Sequence, residues 1–139
     1  MKLSCRAALC ALLLSAATCQ AAGLADPEMN APQRLLEASL NQEVPANDPR
    51  LDKVREQIAK VMKASGESEQ VVAQACIRNA RHIFDSSRQR TSPLEVLDML
   101  VKHAPAGKPL ADTTQRYFKL RVHEKLDHAG ALAQMAAGK

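Results

Sequence analysis

Aromatic side chains are nearly missing from this sequence: Phe84, Tyr117 and Phe118 make up the whole set, and there is no Trp. Strands favour aromatic and β-branched residues, so this scarcity speaks against a β-sandwich. Glycine and proline are also sparse, at five and seven in 139 residues, and they fall between periodic segments rather than within them. No apolar run reaches the ~20 residues that a membrane span needs. There is no Cys-x-x-Cys-His, which excludes covalent haem attachment by that motif. A Gly-x-Ser-x-Gly elbow and a phosphate-cradling glycine loop are missing too. What remains is 46% hydrophobic and 24% charged, the balance of a chain that folds around a core.

The first 21 residues read as an export signal. Lys2 and Arg6 form a basic start, Ala7 to Thr18 a short apolar run, and the small residues around Ala21 a cleavage site. Lipid anchoring at Cys19 is disfavoured, because Ala16, Ala17 and Thr18 do not supply the bulky aliphatic first residue and the Gly or Ala last residue of a lipoprotein signal. The expectation is a periplasmic or secreted protein cut near Ala21. With Lys2 and Arg6 gone, 17 basic residues face 15 acidic ones, a net of +2. Cys5, Cys10 and Cys19 leave with the signal, so Cys76 stands alone and no intrachain disulfide is available. The fold must rest on apolar packing.

The segment 22–30 reads as a flexible lead-in, and 31–139 as one helical domain. A short helix is expected from Ala31 to Glu43, with Leu35, Leu36 and Leu40 inward. Asn47-Asp48-Pro49 then signals a helix start, followed by Leu51, Val54, Ile58, Val61 and Met62 at three- and four-residue spacing and by Gly66 as a stop. The opening of this helix, Leu51-Asp52-Lys53-Val54-Arg55-Glu56-Gln57-Ile58, resembles the first helix of all-helical chorismate mutases. That likeness spans one short amphipathic segment and carries over no site residue. A third helix is expected over Ser68–Ser86, with Val72, Ala73, Cys76, Ile77, Ala80, Ile83 and Phe84 on one face. Ser92-Pro93-Leu94-Glu95 is a capping box that opens a fourth. The last helix is expected to run unbroken from Pro109 to about Ala136. It would reach about 40 Å at ~1.5 Å per residue, overhanging the bundle or folding back at Gly130. The fold class is therefore all-α: four main helices, a short leading one and a long C-terminal one.

Two sides of that last helix are apolar. Leu110, Tyr117, Leu120, Leu132 and Met135 lie largely opposite the stripe through Phe118, Val122 and Leu126, so they need either helices of the same chain or another molecule. They are the expected interaction surface. Charge is uneven: 6 basic and 9 acidic residues lie from Ala22 to Cys76, and 11 basic and 6 acidic from Ile77 to Lys139. Arg78, Arg81, Arg88, Arg90, Arg116, Lys119 and Arg121 form a candidate patch for an anionic partner: a lipid headgroup, a polysaccharide or an acidic protein. The reading preferred over such a patch is that the acidic N-terminal half packs beside the basic C-terminal half, with Arg81 pairing locally to Asp85. Nucleic acid is not expected, given the low net charge and few stacking aromatics.

His123 and His128 are five apart, which places them about 140° apart on an α-helix rather than on one face, as a zinc-protease motif requires. The spacing does allow His123 with Asp127 and Glu124 with His128 as i,i+4 pairs. A bundle holding a small molecule, a metal or non-covalent haem, for example between Met62 and His128, is the alternative reading. Cys76 lies on an apolar face and reads as a buried small hydrophobe. The leading expectation is a non-catalytic exported module without a cofactor, acting on a protein partner or on a second copy of itself.

Overall fold

The computed structural model describes residues 30–104 and 106–138. The expected export signal, Cys19 and the expected lead-in before Asn30 lie outside the described residues. Six helices follow in order: α1 (Ala31–Leu40), α2 (Arg50–Ser65), α3 (Glu69–Ser87), α4 (Pro93–His103), α5 (Leu110–Val122) and α6 (His128–Ala136). The described residues contain no strand, and no helix among them is long and apolar enough to cross a membrane. The protein is all-α.

Local chemistry explains most boundaries. Asn30 caps α1 by accepting from the Gln33 amide at 3.0 Å. The helix then stops at Leu40, earlier than the Glu43 expected from sequence, because Asn41 takes the left-handed conformation with φ 54°. Asn tolerates that conformation better than most residues, since its short side chain meets little obstruction there. Asp48 accepts from the Arg50 amide at 2.9 Å, so the Asp-Pro start signal works, although Pro49 itself is the flanking residue. Gly66 ends α2 with φ 79°. At α4 both halves of the capping box are present: Ser92 Oγ accepts from the Glu95 amide and Glu95 accepts from the Ser92 amide.

Helix α3 is central, packing against α1, α2, α4 and α5. Its inward stripe is Val72, Ala73, Cys76, Ala80 and Ile83. Leu51, Val54, Ile58 and Val61 of α2 and Val96, Leu97, Met99 and Leu100 of α4 join it in one core. Loops are pinned across elements by Leu94 N–H donating to Ser39 Oγ at 3.1 Å and Gly107 N–H donating to the Ala64 carbonyl at 2.8 Å.

The long C-terminal helix does not form. Lys125 adopts φ 55°, the Leu126 amide reaches back to the Leu120 carbonyl at 3.1 Å, and Asp127 starts a new helix by accepting from the Gly130 amide at 2.7 Å. A side chain at Gly130 would bring its Cβ within 3.0 Å of that Asp127 oxygen, so the glycine leaves room for the cap. The turn therefore comes before Gly130, and α6 packs on α5 and α4 instead of overhanging.

Candidate functional site

The break between α5 and α6 decides the fate of the expected interaction surface. Leu110, Tyr117, Leu120 and Met135 are buried in the chain's own core, and Leu132 is half-buried against it. This corrects the expectation of a face free for a partner. Once the chain turns back at Lys125, α6 comes to lie against α5, and both apolar sides of the C-terminal segment close within one molecule. Burial of this kind stabilises by roughly 25 cal/mol per Å² of apolar surface, so a segment with two greasy sides gains by folding onto itself.

A chain of polar groups accompanies that closure. Arg121 donates from Nη1 to Tyr117 Oη at 2.9 Å, and the same oxygen is hydrogen-bonded to His128 Nδ1 at 2.8 Å. The other ring nitrogen of His128, Nε2, faces Asp98 Oδ2 at 3.2 Å. Lys102 donates to the same oxygen at 2.7 Å. Burial would raise the Asp98 carboxyl, but hydrogen bonds from Lys102 and His128 outweigh it and hold the group below its ordinary value. Burial pushes the Tyr117 phenol up to about 12, against the opposing pull of Arg121. Tyr117 is 0% exposed, so its oxygen joins α5 to α6 rather than meeting a substrate. The linkage holds one helix to its neighbours.

The expected anion patch is divided by the fold. Arg121 is 4% exposed and donates only to neutral acceptors: Tyr117 Oη, Gln89 Oε1 at 3.4 Å and the Arg90 carbonyl at 3.3 Å. Arg116 reaches the Gln134 carbonyl at 3.3 Å, and Lys119 is exposed on α5. Arg78 lines two smaller crevices, one beside Ala31 and Arg34, the other beside His82 and Leu110. Arg81 and Arg90 line a third and larger concavity, and Arg88 stands 5.6 Å from the centre of the Phe84 ring. Arg81 also reaches Asp85 at 3.7 Å, the local pair that the sequence anticipates.

That concavity is a groove of about 1080 Å³ between α1, α3 and the start of α4. Ile77, Ala80 and Phe84 of α3 and Pro93 of α4 supply its apolar lining, Ala38, Ser39 and Asn41 the α1 wall. Phe84 was expected on the inward stripe of α3, yet it is 41% exposed. At 100° per residue it falls at the edge of the buried arc, just beyond Ala80 and Ala73, where α3 faces the groove. Thr91, between α3 and α4, lines the same groove, and its buried hydroxyl oxygen has no hydrogen-bond partner. The sequence placed Phe84 in the core and offered no signal for Thr91.

The histidines do not converge on a metal. His82 stacks on Phe118 with ring centres 4.4 Å apart, His123 meets the same ring edge-on at 6.1 Å, and His128 belongs to the polar chain. Among the described residues no group of three or more His, Cys, Asp or Glu is placed to hold a metal ion. Cys76 is buried in α3, where desolvation pushes its thiol up to about 12. No protein-family model, curated protein or solved structure matches the chain.

Proposed function

We propose that this chain is an exported, non-catalytic helical module that acts by binding another protein, and that its binding face is the groove between α1, α3 and α4. The observation that carries this reading is Phe84: a large apolar side chain, 41% exposed, set in a concavity with arginines around it. Exposed aromatics in concave, polar-rimmed patches are typical anchors for a partner. The nucleophilic groups support the same reading, since Cys76 is sealed in the core and the Tyr117 hydroxyl is committed between Arg121 and His128. A nucleophile needs both activation and access.

The test is chemical cross-linking of the wild-type chain and of Phe84→Ser in extract of the native compartment, with identification of the captured proteins and light scattering on each purified chain. The expected result is a defined complex with the wild type that Phe84→Ser loses while its circular dichroism stays helical. A strictly monomeric chain whose variant captures the same proteins as the wild type overturns the proposal.

A further inference from the structure

We infer that the occupant of this groove is an acidic segment of a partner protein, presenting a large apolar side chain to Phe84 and carboxylates to Arg81 and Arg90. The inference rests on the binding role proposed above and adds the chemistry of the ligand. The floor selects an apolar anchor, because Ile77, Ala80, Phe84 and Pro93 offer no side-chain hydrogen-bonding group.

The walls select the charge. Arg81 and Arg90 line the groove, and Arg88 is stacked against Phe84. Behind the loop that carries Arg90 and Thr91 lies Arg121, whose guanidinium donates to the Arg90 carbonyl and to other neutral acceptors. A guanidinium keeps its charge when buried, and its field extends farther through protein than through water. Two carboxylates oppose this surplus. Asp85 lies 3.7 Å from exposed Arg81, and Glu95 already accepts from the Ser92 amide. Arg81 and Arg90 in the lining, with Arg88 beside Phe84, outnumber Asp85 and Glu95 and leave the site basic.

The experiment uses two short fluorescein-labelled peptides with leucines at identical positions and either Glu or Lys at the rest. Binding to the purified chain is followed by anisotropy and mapped by amide chemical shifts. The Glu peptide should bind with shifts centred on Ile77, Ala80, Phe84 and Thr91, weaken with rising salt, and lose about tenfold in affinity to the double variant Arg81→Glu, Arg90→Glu. All three substituted side chains, Phe84 included, are exposed, so the variants keep the bundle. Equal binding of the Lys peptide, or no binding of the Glu peptide, overturns the acidic assignment. So does binding to anionic phospholipid vesicles in place of the peptide. If Phe84→Ser abolishes capture of the native partner while charge reversal and salt change nothing, the groove remains a binding face and only its acidic ligand is wrong. If Phe84→Ser changes nothing at all, both readings fail.

Discussion

Tyr117 Oη lies 2.8 Å from His128 Nδ1 and so connects the middle of α5 to the first residue of α6. The contact has a consequence for alkaline stability. Burial raises the phenol to about 12, above the 10 it has when free, so its contribution is fully present below pH 10 and is lost as pH rises toward 12. Tyr117→Phe should remove that alkaline decline while costing about 1–3 kcal/mol at neutral pH, because Arg121 and His128 each lose a buried partner. Urea unfolding across the pH range measures both effects.

Asp98 sets the opposite limb. Its carboxyl is held below the ordinary 3.8 by Lys102 and His128 in spite of burial, so its stabilising contribution is present above pH 3.8 and disappears as pH falls through the lower folded value. Asp98→Asn should flatten the acid limb of the stability curve below about pH 4. A variant whose acid unfolding superimposes on the wild type would contradict the pairing.

Docking of α6 depends on its start. Asp127→Ala removes the acceptor of the Gly130 amide and should cost about 0.5–2 kcal/mol. Hydrogen exchange at amides of 131–136 should speed up more than exchange in α3, since α6 is a short element packed on α4 and α5 while α3 packs on four helices.

Ser92→Ala tests the box at the start of α4. It deletes the side chain that accepts from the Glu95 amide and should destabilise by about 1 kcal/mol, visible as a lower urea midpoint with an unchanged slope.

Cys76 should be inert in the folded protein. A thiol pushed up to about 12 and fully buried has almost no thiolate at neutral pH. Labelling by a disulfide reagent should proceed only as fast as the chain opens, and should become rapid in denaturant.

Helix class, the starts of α1 to α4, the stripe of α2 and most of that of α3 follow from local rules: an apolar residue every three or four positions, an Asn, Ser or Asp before the first turn, a left-handed Gly after the last. These signals act within a few residues, so they survive whatever the rest of the chain does. The break at Lys125 is different. Nothing in His123-Glu124-Lys125-Leu126-Asp127 forbids a helix, and i,i+4 pairs were available to support one. Folding back succeeds because it buries Ala131 and Met135, half-buries Leu132, and completes the chain from Arg121 to Asp98. Those gains come from residues up to 30 positions apart and exist only after α4 and α5 have met. Phe84 shows the same limit in reverse: helical periodicity places it toward the interior, but which part of that arc is covered depends on where α1 and α4 end. Local chemistry wrote the helices, and the area buried between distant segments chose how they stack and which arginines and aromatic ring stay in contact with water.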